Sequence, residues 1–165
     1  MRPQPIPPQS GQESVWDYPR PPRLERSPEQ LKIIFNDLII ANTKNSYRVL
    51  ETSHPPVYYL PPTDIRMEYL QRSDQKNSFC EWKGFAGYYH IEVNKKIINN
   101  AAWFYNDPTP KFTEIKNYVA FYPAFMDACY VGEQLVRPQP GEFYGGWVTD
   151  NIVGPFKGEP GSWGW

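Results

Sequence analysis

Short runs of alternating apolar and polar residues, broken every few positions by proline, glycine or asparagine, dominate this chain from residue 31 onward. Leu31-Lys-Ile-Ile-Phe35 and Leu38-Ile-Ile-Ala41 flank Asn36-Asp37, a pair that tolerates the positive φ of a two-residue hairpin turn. Tyr47–Glu51 and Val57–Leu60 read as strands on either side of Ser53-His-Pro-Pro56. Thr63 predicts the cap of a short helix over Asp64–Leu70, with Ile65 and Tyr69 on one face. Tyr88–Val93 sets Tyr89, Ile91 and Val93 against Tyr88, His90 and Glu92, and a turn near Asn94-Lys95-Lys96 leads to a second strand over Ile97–Tyr105. Tyr118–Tyr122, Ala128–Val131 and Gln134–Val136 complete the series. Strands at this regular spacing, with no long amphipathic helix between them, predict an all-β fold: mainly antiparallel, sandwich-like, a single domain with at most one or two short helices.

The two ends depart from that pattern. Pro3, Pro5, Pro7 and Pro8 favour an extended backbone, so residues 1–12 are expected to form a flexible Pro-rich arm and residues 13–165 the domain itself. Trp16 and Tyr18 can anchor the piece that follows. At the other end, Pro138–Trp165 sets aromatic rings among glycines and prolines, which excludes helix and points to an ordered loop packed onto something.

Composition narrows the function classes. In 165 residues the net charge is −1, which argues against nucleic acid as a partner, and no apolar run is long enough for a membrane span. Two cysteines, Cys80 and Cys129, and two histidines, His54 and His90, lack the spacing of a zinc site, so no metal and no cofactor is expected. The amino terminus lacks the apolar core of a secretory signal, and the cytoplasm is the default expectation. A monomer and a homodimer are both compatible with the sequence.

Seven segments together resemble one family: Glu13–Pro22, Arg48–Ile65, Phe79–Gly84, Ala101–Tyr105, Val119–Tyr122, and the terminal Phe143–Trp147 and Val153–Gly158. They resemble the bacterial and fungal domain of unknown function 427, over essentially everything from residue 13 onward. The resemblance implies a mainly antiparallel, tent-like β domain and no established activity. The family's Cys-Pro-x-Lys-Gly motif is replaced here by Cys80-Glu-Trp-Lys-Gly84. A nucleotidyltransferase label attached to the family finds no Gly-Ser followed by a strand-borne Asp-x-Asp pair in this chain.

The candidate ligand-binding residues are Arg48, Glu51, Tyr58, Lys83, Trp103, Tyr144 and Trp147. Arg48 can fork onto a carboxylate or phosphate, and Glu51 or His54 can handle a proton. A plainer account pairs Arg48 with Glu51 at a strand end. Lys83, beside an aromatic ring, can hold an anion or serve as an amine nucleophile of lowered pKa. The rings offer stacking surface, or simply an aromatic core. Gly145 and Gly146 are expected to let the backbone approach a ligand. The leading expectation is a small-molecule-binding β domain with an aromatic, Gly-rich pocket, in which Arg48, Glu51, Lys83 and Tyr144 converge beside Trp103 and Trp147. The alternatives are an enzyme acting through Lys83, Glu51 or Cys80, and a structural or dimerisation module.

Overall fold

The computed structural model describes residues 2–141 and 143–165. Strand accounts for 46% of the chain and helix for 11%, in several antiparallel sheets. All the helical residues lie in 3-10 turns. In chain order, β1 (Glu13–Ser14) is followed by β2 (Arg23–Ser27), β3 (Leu31–Phe35), β4 (Leu38–Thr43), β5 (Ser46–Leu50) and β6 (Val57–Tyr59). Then come β7 (Leu70–Cys80), β8 (Gly84–Val93), β9 (Lys96–Phe104), β10 (Val119–Phe121) and β11 (Ala128–Val131). Four two-residue strands close the chain: β12 (Gln134–Leu135), β13 (Arg137–Pro138), β14 (Trp147–Val148) and β15 (Ile152–Val153).

The hairpin expected around Asn36-Asp37 forms with both residues at positive φ, 49° and 66°, as a two-residue turn between right-twisted strands demands. Its strands join β11 and β12 in the order β12-β11-β3-β4. β8 and β9 form the second expected hairpin, turning at Asn94 and Lys95. With β7 and β10 they give the order β10-β9-β8-β7, while β5 sits between β2 and β6 in a third sheet.

Two segments differ from expectation. Asp64–Leu70 does not form a helix; 3-10 turns at Pro62–Asp64 and Met67–Tyr69 take its place. Between them Ile65 bridges to Ala41, and the Arg66 amide donates to the Ile40 carbonyl at 2.8 Å. The exposed edge of β4 thus captures the backbone that a helix would have needed. Gln71–Ser78, polar throughout, is most of the eleven-residue strand β7. Pairing with β8, interrupted by a register shift between Arg72 and Asn77, holds it extended without an apolar face of its own.

Three apolar clusters result. The largest lies between the sheets and includes Leu31, Ile33, Phe35, Leu60, Ile91, Phe121 and Trp147. A second lies on the other face of the β7–β10 sheet, with Tyr59, Ala86, Tyr88, Trp103 and Tyr105. A third joins the two ends of the chain through Val15, Trp16, Tyr18, Leu50 and Ile152, with Trp165 packed edge-on to Trp16 at 5.7 Å. Here β1 runs parallel to β15, and Trp16 Nε1 donates to the Pro155 carbonyl at 2.9 Å.

Residues before β1 touch this end cluster mainly through polar groups, such as the Ile6 amide to the Gly154 carbonyl at 3.0 Å and Gln12 Nε2 to the Asp150 carbonyl at 2.9 Å. Buried rings offset ordering entropy better than exposed hydrogen bonds do. Limited proteolysis followed by mass spectrometry is therefore expected to clip within residues 2–10 well before residues 13–23. Equal cleavage rates in the two stretches would contradict this.

Candidate functional site

A cleft of about 970 Å³ opens on the face of the β7–β10 sheet that carries the second cluster. Strand alternation builds its floor. Val49 of β5, Val57 and Tyr59 of β6, Tyr88 of β8, and Trp103 with Tyr105 at the end of β9 all point to this side. The rings interlock: Trp103 Nε1 donates to Tyr59 Oη at 3.2 Å, and the Tyr122 ring lies 4.6 Å from that of Trp103. Burial pushes the Tyr59, Tyr105 and Tyr122 hydroxyls above the ordinary phenol range, so they stay protonated.

One wall is the turn between β7 and β8, carrying Cys80, Trp82 and Lys83. Thr109 clasps this turn: its hydroxyl donates to the Trp82 carbonyl at 2.6 Å and its amide to the Lys83 carbonyl at 3.1 Å. Lys83 Nζ lies 5.9 Å from the ring centroids of Tyr105 and Phe112. Burial alone would lower its pKa, but Tyr59, Cys80 and the Glu51 carboxylate outweigh it and hold the ammonium above the ordinary lysine value. The direction is opposite to the lowering expected for a lysine beside an aromatic ring.

The opposite wall comes from the carboxy-terminal tail. Gln139, nearly fully buried, accepts the Gly146 amide on Oε1 at 3.1 Å and donates from Nε2 to the Lys157 carbonyl at 2.8 Å. These bonds fix the amide orientation, so its second Nε2 hydrogen points at His54 Nδ1, 3.0 Å away. His54 is thereby an acceptor at Nδ1 and carries its proton on Nε2. That nitrogen faces Glu51 Oε2 at 3.8 Å, while Arg20 reaches the same oxygen at 3.3 Å. Burial, then the positive charges of Lys157, Arg20 and Lys83, push the His54 pKa down to about 4. The Tyr144 ring packs edge-on to His54 at 5.2 Å.

The structure thus brings together Glu51, Lys83, Trp103 and Tyr144, and separates them from Arg48, Tyr58 and Trp147. Arg48 precedes Val49 on β5 and points to the opposite face, where it donates to Glu25 Oε2 at 2.6 Å and also pairs with Glu13. Tyr58 lies on that side too, and both line a separate cavity of about 380 Å³. The plainer pairing of Arg48 with Glu51 is likewise replaced, since each has its own partners on its own face. Trp147 is in the main core, its indole donating to the Phe121 carbonyl at 3.2 Å and its ring 5.1 Å from Tyr58. Gly145 and Gly146 are needed for packing: a Cβ at Gly145, which lines the cleft, would strike the Trp103 ring, and one at Gly146 the side chains of Gln139 and Pro55. Tyr88 and Tyr105 were readable from their two-residue spacing to Ala86 and Trp103, and Lys157 lies in the family-like segment Val153–Gly158, whereas nothing local marks Gln139. His90, expected on a polar strand face, is half-buried beside the register shift in β8 and accepts the Asn100 amide at 3.0 Å.

Among the described residues no three His, Cys, Asp or Glu side chains gather as a metal-ligand set, and no helix is long and apolar enough to cross a membrane. The family model that matches the chain is described as a domain of unknown function, DUF427, and covers residues 23–132. The chain belongs to this family. The match takes in the cleft floor, the Glu51–His54 pair and the Lys83 turn, but ends before Gln139, Tyr144 and Lys157. It is shorter than the resemblance from residue 13 onward suggested. No curated protein matches the chain.

The two faces make separable predictions. Arg48→Ala leaves the partly buried Glu13 and Glu25 without their cation and is expected to cost about 2 kcal/mol in urea unfolding, discounted for the exposure of the two carboxylates, with the cleft unaffected. For His54, the folded pKa of about 4 lies below the ordinary 6.5. Its contribution is therefore fully present above pH 6.5 and lost as the unfolded chain takes up a proton at lower pH. Stability is expected to fall by about 2 kcal/mol between pH 6.5 and 5 from this group. His54→Asn, which keeps an acceptor for Gln139 but cannot titrate, flattens that slope; an unchanged slope would refute the assignment.

Proposed function

We propose that this domain binds a small molecule in the aromatic cleft, stacking a planar group against Trp82, Tyr88, Trp103 and Tyr144. The observation that carries this reading is the polarity of the cleft lining. Large rings cover its floor, while ionic and hydrogen-bonding groups (Lys83, Lys157, Glu51 and Ser78) stand around them. Ligand sites are typically apolar concavities of roughly 300–1,000 Å³ with a few convergent polar groups, and this cleft falls within that range. Rings needed only for the core would be sealed, as Trp147 is; those of Trp82 and Tyr144 remain partly open to solvent. Phe79 and Phe143, both largely exposed, flank the mouth and add apolar surface where a ligand would enter.

Ligand-observed NMR with the full chain and a library of neutral and charged planar fragments tests this directly. Several fragments are expected to bind, with affinity reduced about five- to tenfold by Tyr144→Ala and by Trp82→Ala, the loss of one stacking face each. Near-native circular dichroism would show that both variants fold. An absence of hits, or hits unaffected by either substitution, would overturn the reading.

A further inference from the structure

The charges around the cleft are not balanced. Arg20, Lys83 and Lys157 all act on the buried His54 ring, and the cleft lining itself holds Lys76, Lys83 and Lys157 against Glu51 and Glu81. Arg20 takes up one Glu51 oxygen at 3.3 Å. Among the described residues Lys83 and Lys157 form no ion pair, although both line the cleft. Lys76, also on the lining, lies over the Tyr88 ring face, 4.5 Å from its centroid. The contrast with the opposite face is sharp, because there Arg48 is answered by two carboxylates. Holding these ammonium groups beside a half-buried aromatic floor with no ion pair of their own is electrostatically unfavourable, and an arriving anion would relieve it.

Resting on the proposed small-molecule function, we infer that the ligand is a planar aromatic anion, its ring over Trp103 and Trp82 and its acidic group between Lys83 and Lys157. The two cations are held by different parts of the chain. Lys83 stands on the clasped turn between β7 and β8, and Lys157 on the tail segment whose amide bonds the Ser53 carbonyl at 2.8 Å. An anion seated between them therefore bridges the sheet to the tail. Binding should accordingly stiffen the tail as well as fill the cleft.

The test uses three probes of one ring system on the full-length chain, followed by tryptophan fluorescence and calorimetry: 2-naphthalenesulfonate, naphthalene-2-methanol, and a naphthylmethyl-trimethylammonium salt. The sulfonate is expected to bind at least about tenfold more tightly than the neutral alcohol, and the cation most weakly. Lys83→Met and Lys157→Met, which keep the side-chain stem, should each weaken the sulfonate about tenfold and leave the alcohol unchanged. Raising the salt concentration should act in the same direction, by screening. Equal binding of all three probes, preference for the cation, or sulfonate affinity unmoved by both lysine variants would overturn the inference while leaving a small-molecule cleft in place. If no naphthalene probe binds but library fragments do, the inference likewise falls alone. Failure of both the library and the probes defeats the small-molecule reading itself.

Discussion

Two-residue alternation along β5, β6 and β9 is the constraint on which this molecule depends. Successive side chains on these strands point to opposite faces, and each face acquires a different environment. Arg48, Tyr58 and Ala102 turn to one side, toward the main core and the Glu13–Glu25 pair. Val49, Tyr59 and Trp103 turn to the other and floor the cleft. One residue along a strand is enough to exchange a partly buried ion pair for an open aromatic cleft.

The two faces also divide the charge. On the Arg48 side the cation is fully paired, by Glu13 and Glu25: burial would raise the Glu13 carboxyl, but Arg48 and the Tyr18 hydroxyl hold it below the ordinary range. Such a network fastens β1 and β2 to β5 and has little left to offer a ligand. On the cleft side, by contrast, cations outnumber the carboxylates near His54. The fold therefore keeps the Arg48 ion pairs and the lysines of the cleft on opposite faces.

The tail is joined to the cleft through the Ser53 loop. The Ser53 amide donates to the Val15 carbonyl at 3.1 Å, and its own carbonyl accepts the Lys157 amide at 2.8 Å. One buried residue, at φ 74°, thus ties the amino-terminal anchor, the loop after β5 and the carboxy-terminal segment together. Trp16 and Trp165 seal the outside of this junction. Because Gln139 in turn bonds the Lys157 carbonyl, the position of His54 is set by residues a hundred positions apart in sequence.

What the sequence by itself determined is local: the Asn36-Asp37 and Asn94-Lys95 turns, the strands around them, and the importance of the aromatic tail. These follow from φ preferences and side-chain periodicity, which act over a few residues. Alternation also held enough information to part Arg48 from Glu51, which lie three residues apart and so on opposite faces of an extended chain. Only the tertiary structure decided the rest. β7 is a strand because β8 offers it hydrogen-bonding partners, and Asp64–Leu70 is not a helix because the β4 edge takes the amides of its neighbours. Gln139 and Lys157 join the cleft because the tail packs back over β5 and β9, a contact between distant segments that no local pattern encodes. Backbone hydrogen bonds must be satisfied and apolar faces covered by whichever segment arrives, and which one arrives is a property of the whole fold.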